Sequence, residues 1–220
     1  MKKNVITGLL CIATAFPVIA QKADQRLTES TAVLTTIADK SEIPNTAWSR
    51  TKCVLVYPSV KKVAIGFGQT YGRGVLICRS GADMTGPWGA PIMYTLDTSS
   101  LGVQLGSSST DYVLLIITQR GADKILSGKL KLGAGASAVA GPTGAQATSF
   151  NDPNIDILSY SQAKGLFAGA SLGTASMTSD DKMNAQLYNK DIDGAQILRT
   201  EKIPAAAQPL IAAIKSAAGK

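Results

Sequence analysis

Ala64-Ile65-Gly66-Phe67-Gly68 sets a glycine at every second position of an apolar stretch. The alternation returns in Gly102-Val103-Gln104-Leu105-Gly106, in Leu132-Gly133-Ala134-Gly135-Ala136 and in Phe167-Ala168-Gly169-Ala170-Ser171-Leu172-Gly173. Side chains on a strand point alternately to its two faces. Glycine with period two therefore strips one face bare, so that another layer can approach closely or the sheet can bend. Four such stretches predict a strongly curved, barrel-like sheet.

Working outward, residues 53–57, 62–68, 72–79, 91–96, 101–107 and 112–118 read as strands separated by Gly, Ser, Asp and Pro clusters, most of them joined as antiparallel hairpins. Pro58 is expected to end the first. Tyr112-Val113-Leu114-Leu115-Ile116-Ile117 is apolar at every position, which suits a central strand covered on both faces. A short helix over 120–127, stopped by Gly128, interrupts the series before strands resume in 131–141 and 156–177. The flanks are helical. Leu27, Val33, Leu34 and Ile37 recur at helical spacing within 22–40, Ser179 is placed to cap a helix over 180–188, and an Ala-rich helix spans 209–218. The expected class is α+β: a mostly antiparallel, Gly-rich sheet covered by N- and C-terminal helices.

The segment 1–20 carries Lys2 and Lys3, then an apolar run that closes on Val18-Ile19-Ala20, the pattern of a cleaved secretory signal. The run is interrupted by Pro17 and is short for a bilayer span. Residues 21–220 then form a single domain, exported to the periplasm or held peripherally at a membrane. Loss of Lys2 and Lys3 lowers the formal charge from +7 to +5. Cys53 and Cys78 would meet an oxidising compartment, and two readings stand: a disulfide, or two small buried hydrophobes on separate strands.

Histidine is absent, which excludes Ser-His and Cys-His nucleophiles, and the carboxylates do not fall at catalytic spacing. Asp111, after Ser107-Ser108-Ser109-Thr110, reads as a residue that bonds backbone amides in a turn. Gly66-Phe67-Gly68-Gln69-Thr70-Tyr71-Gly72 departs from a dinucleotide loop, because its third glycine comes one place late and a strand follows. Asn189-Lys190-Asp191-Ile192-Asp193-Gly194 opens like a calcium loop, but Thr200 stands where a bidentate glutamate belongs, so it reads as a turn and helix cap. No catalytic residue, metal or cofactor is expected.

Lys52, Lys61, Lys62, Arg73, Arg79, Arg120, Lys124, Lys129 and Lys131 fall near strand ends or on the 120–127 helix. Each basic group close to an anionic bilayer contributes about 1 kcal/mol, so four to six gathered together attach a protein reversibly, whereas scattered ones merely solubilise it. Lys61, Lys62, Arg73, Arg120 and Lys124 are the candidates for lipid headgroup contact, and Leu27, Leu34 and Ile37 of the entry helix for contact with acyl chains. Nucleic acid is disfavoured by export and by a thin supply of aromatic residues.

Read in order, Lys52-Cys53-Val54-Leu55-Val56-Tyr57-Pro58-Ser59-Val60-Lys61-Lys62, Gly66-Phe67-Gly68 and Tyr71-Gly72-Arg73-Gly74-Val75 resemble the opening signature of the SYLF domain family. Trp88 with Ala90-Pro91, Ser109-Thr110-Asp111, Lys131-Leu132-Gly133, Ala140-Gly141-Pro142, Ser159-Tyr160-Ser161 and Lys164-Gly165-Leu166-Phe167 follow in that family's order, across nearly all of 21–220. The resemblance implies a non-enzymatic domain that binds anionic membrane lipids, phosphoinositides among them, with actin binding in some members. For an exported chain it implies an anionic phospholipid membrane as partner and not actin. Two readings from other classes compete: an envelope scaffold that holds a protein partner without touching lipid, and a small-molecule carrier with an apolar pocket.

Overall fold

Two strands carry the architecture. The computed structural model describes residues 20–128, 130, 137–141, 154–164 and 175–219. The backbone is extended through β1 (Cys53–Cys78) and again through β2 (Ile92–Ile116), which pair antiparallel from Cys53 opposite Ile116 to Leu76 opposite Ile92. The six short strands expected across this region are thus parts of two long ones, joined by a single hairpin connection. The Gly, Pro and Ser clusters inside each long strand do not reverse the chain, which turns back only across 79–91. Register shifts fall at Tyr57/Val60 and Ile65/Phe67. At the first, Pro58 lies within β1 instead of ending it, Ser59 takes φ 52°, and the Ser59 amide donates to Asp111 Oδ1 at 2.8 Å. Asp111 does bond a backbone amide, across a bulge and not in a turn of its own.

The bends accumulate until β1 meets itself. A strand of 26 residues, if straight, would span roughly 80 Å. Instead a Cys53–Cys78 disulfide joins its two ends, and the Arg79 amide donates to Lys52 O at 2.8 Å. The open question about the cysteines is resolved as a bridge. Gly72 and Gly74 make the close approach sterically feasible: a Cβ at Gly72 would lie 2.9 Å from Val60 Cγ2, and one at Gly74 would overlap Val56 O and the Tyr57 ring.

The rest is arranged around this ribbon. The sheet runs in the order β1-β2-β4-β3, where β4 (Ile155–Lys164) pairs antiparallel with β2 and β3 (Ser137–Ala140) pairs parallel with β4; β5 (Ser176–Ser179) pairs antiparallel with β2. It curls strongly but, among the described residues, does not close into a ring of paired strands. The 112–116 stretch lies between β1 and β4, central as its apolar run requires. The glycine stretches at 132–136 and 167–173, the segment 1–19, and Lys129 and Lys131 lie outside the described residues.

Alternation along the strands splits the core in two. Val54, Val56, Val75, Ile77, Val113 and Leu115 face one way, covered by α1 (Ala20–Ser41), by Trp48 of α2 (Asn45–Arg50) and by α6 (Gln208–Ala218). Leu55, Tyr57, Leu76, Ile92, Tyr94 and Leu114 face the other, closed by α3 (Gln119–Leu126) and α5 (Gly194–Leu198). Between β5 and α5 runs α4 (Asp181–Tyr188), capped by Asp180 and not by Ser179; Asp193 caps α5 in a full capping box, the turn-and-cap reading of that segment.

This arrangement corrects one expectation. Leu27, Leu34 and Ile37 are 0%, 0% and 2% exposed, so the apolar stripe of α1 is spent on the sheet and on α6, and is not available for acyl chains. The sheet face beneath it is itself a continuous apolar surface, and burying two such surfaces against each other is the larger gain. No described helix is long and apolar enough to cross a membrane.

Cys53→Ala/Cys78→Ala should cost about 3 kcal/mol by releasing a loop of this length in the unfolded chain, read from urea midpoints. Gly74→Ala should cost about 2–3 kcal/mol by steric overlap, whereas Gly128→Ala, at φ +66° with open space around it, should cost about 1 kcal/mol from backbone conformation alone.

Candidate functional site

The return of β1 onto itself brings two distant parts of the strand to one place. The bulge supplies Pro58, Ser59 and Lys61, the returning half supplies Tyr71, Gly72 and Arg73, and β2 contributes Thr95. One face of the first turns of α1 adds Lys22, Gln25, Arg26 and Glu29, at helical spacing, and the start of α4 adds Asp180, Lys182, Met183 and Gln186. Together they line a cleft of about 810 Å³. Its walls carry the cations Lys22, Arg26, Lys61, Arg73 and Lys182 against the carboxylates Glu29 and Asp180. Tyr71, 46% exposed at this cleft, is the exposed large hydrophobic side chain among the described residues.

The floor is an ion-pair cluster. Arg26 Nη1 donates to Asp180 Oδ2 at 3.0 Å, with the two side chains 7% and 12% exposed. Burial lowers the proton affinity of the Arg26 guanidinium, and the bond to Asp180 opposes that shift. Arg73 Nη1 lies 3.7 Å from the same Asp180 oxygen, on a side chain that is 67% exposed. Below them the Tyr57 hydroxyl donates to Thr95 O at 3.2 Å, and burial pushes its pKa well up, so it remains a neutral donor. Among the described residues no carboxylate pairs with Lys22, Lys61 or Lys182, which leaves those three charges directed at solvent and whatever enters from it.

Of the residues expected at a headgroup site, the fold brings Lys61 and Arg73 together here. Lys62 is not part of the lining; as the next residue on the strand after Lys61 it points to the opposite face. Arg120 and Lys124 lie on α3 and converge on Asp156, with Arg120 Nη2 at 2.8 Å, Arg120 Nε at 2.9 and 3.1 Å and Lys124 Nζ at 3.6 Å, while the Thr118 hydroxyl donates to the same carboxylate. This cluster ties α3 to the start of β4. Lys52 donates to Asp83 O, and Arg79 donates to Thr51 O and Gly86 O and stacks over Trp88 at 4.4 Å, so both serve the hairpin connection. Lys22, Arg26, Asp180 and Lys182 were not singled out from sequence as site residues. Lys22 and Arg26 carried a readable i, i+4 signal, but Asp180 and Lys182 join them only through tertiary packing.

A family described as "Ysc84: Las17-binding protein actin regulator" matches residues 97–217, which include the Asp180 and Lys182 side of the cleft. SH3 domain-containing protein PJ696.02 of Schizosaccharomyces pombe is 30% identical over 202 residues, covering 89% of this chain and 46% of that protein. Protein YSC84 of Saccharomyces cerevisiae is 28% identical over 166 residues, 73% of this chain and 35% of its own length. Human SH3 domain-containing YSC84-like protein 1 is 25% identical over 184 residues, 81% and 52%. The chain thus spans about half or less of the length of these relatives.

The Asp156 cluster gives a pH prediction. Burial raises the Asp156 carboxyl, but the bonds from Arg120 and Thr118 and the charges of Arg120 and Lys124 outweigh it and hold the group below its ordinary value. The stabilisation is complete above the unfolded carboxyl value near 4 and is lost as pH falls through the lower native value. Asp156→Asn should cost about 2 kcal/mol near neutrality and flatten the acid limb of a plot of urea midpoint against pH.

Proposed function

The chain belongs to the Ysc84 family, the family its SYLF-type motifs resemble, and from that membership we propose that it is a non-enzymatic protein that binds anionic membrane lipids, phosphoinositide-type headgroups among them. The observation that carries the reading is one cleft in which Lys22, Lys61 and Lys182 present unpaired charge and Arg73 a loosely paired one. At about 1 kcal/mol per basic group near an anionic surface, they provide roughly 3–4 kcal/mol, enough for reversible attachment. Tyr71 stands where an aromatic side chain can rest at the bilayer interface. The proposal keeps an exported location, supported by the segment 1–20 and by the Cys53–Cys78 disulfide, which suits an oxidising compartment. A second reading draws on the family description, which names a protein partner: the same cationic cleft would suit an acidic protein segment.

Co-sedimentation with phosphatidylcholine vesicles, with and without phosphatidylserine or a phosphoinositide, tests the proposal. Binding should require the anionic lipid and weaken steeply as salt shortens the Debye length from about 10 Å at 0.1 M toward about 3 Å at 1 M. Lys61→Glu/Lys182→Glu should weaken it about thirtyfold or more, whereas Lys215→Glu, outside the cleft, should have a far smaller effect. Equal binding to neutral vesicles, or no loss in the double variant, would remove the lipid reading. Capture of an acidic peptide with no vesicle binding would favour the protein partner.

A further inference from the structure

The two arginines of the cleft are not equivalent, and the difference lies in a single oxygen. Asp180 Oδ2 serves both guanidinium groups, at 3.0 Å from Arg26 and 3.7 Å from Arg73. The carboxylate cannot follow either of them. Its Oδ1 accepts from the Met183 amide at 3.3 Å as the cap of α4, and the Asp180 amide donates to Met93 O at 2.8 Å. Arg26 is equally fixed, because its side chain is 7% exposed and leaving Asp180 would strand a buried charge. Arg73 is held differently: two-thirds exposed, and beyond hydrogen-bond reach of the carboxylate, it is restrained by attraction alone.

We infer that Asp180 is a resident counter-anion that occupies Arg73 while the cleft is empty, and that Arg73 is the arm an incoming anion must draw away from it. Arg26 then makes no ligand contact; it is a positioning residue that anchors Asp180 against α1. The inference rests on the anionic ligand proposed above and adds what restrains its affinity. An entering phosphate group gains Arg73 only at the expense of the Asp180 attraction and also feels the repulsion of that carboxylate, so the cleft binds more weakly than its cation count suggests. Lys61, which no carboxylate pairs among the described residues, contributes its charge undiminished.

The test uses phosphatidylcholine vesicles containing phosphatidylglycerol, with the full chain. Asp180→Asn keeps a side chain that caps a helix well and removes the charge; it should tighten binding about fivefold, more than Asp191→Asn, which changes the net charge equally but lies outside the cleft. In the unaltered background Arg73→Gln should weaken binding less than Lys61→Gln does, and in the Asp180→Asn background the two losses should become equal. The comparison of Arg73→Gln with Lys61→Gln leaves Asp180 in place, so it stands even where Asp180→Asn fails to fold. A gain from Asp180→Asn no larger than that from Asp191→Asn, or an Arg73→Gln loss already as large as that of Lys61→Gln, overturns the inference while leaving the lipid reading intact. No preference of the unaltered protein for phosphatidylglycerol vesicles over pure phosphatidylcholine overturns both.

Discussion

The meeting of the two ends of β1 is the constraint on which the remaining structure depends. A strand of this length does not curl by twist alone into contact with its own start. Here the bulge at Pro58-Ser59 and the register shift near Ile65 turn the ribbon, and the Cys53–Cys78 bridge with the Arg79-to-Lys52 bond secures the result. Gly72 and Gly74 remove the side chains that would otherwise hold the returning half away from Val56, Tyr57 and Val60. Because of that contact, Lys61 and Arg73, twelve positions apart on one strand, share a cleft. The same curvature creates an inner face that α3 and α5 must close and an outer face that α1 and α6 must cover.

Much of this was legible in the sequence, for identifiable reasons. Period-two glycine announces a sheet that bends, and β1 does curl back on itself, but the close approach is made at Gly72 and Gly74, which lie outside the four stretches that carry the pattern. The unbroken apolar run from Tyr112 announced a central strand, and the helical periods of 22–40, 120–127, 180–188 and 209–218 reappear as α1, α3, α4 and α6. Strand continuity was not legible. Gly, Pro and Ser clusters look alike whether the chain reverses or only bulges, and the difference is decided by a partner such as Asp111, whose carboxylate satisfies the Ser59 amide from the neighbouring strand. The apolar stripe of α1 likewise shows that the helix has something to cover, but not whether a sheet or a bilayer covers it.

The candidate site was legible in part, because charge is written in sequence and convergence is not. Lys61 and Arg73 reach the cleft through the fold of β1; Lys62, their equal in charge, is turned away by the alternation of the strand. Arg120 and Lys124 read as headgroup contacts on the 120–127 helix, but Asp156, more than thirty residues later, is the carboxylate they meet. The family match begins at residue 97, within β2, so it takes in the α4 wall of the cleft and not the α1 and β1 walls.

Asp156 and Asp180 show how the same chemistry serves two ends. Each is a shielded carboxylate facing two cations, and each has one partner that is more than half exposed: Arg120 at 51% and Arg73 at 67%. Exposure therefore does not separate a structural pair from an adjustable one. Geometry does. Arg120 bonds Asp156 through Nε at 2.9 and 3.1 Å and through Nη2 at 2.8 Å, with Thr118 completing the shell, so withdrawing Arg120 breaks several directional bonds to a buried charge. Arg73 withdraws from Asp180 without breaking any, because Arg26 keeps the carboxylate satisfied at 3.0 Å. The second arginine makes the first one available, so the floor of the cleft keeps its shape whether or not Arg73 stays beside Asp180.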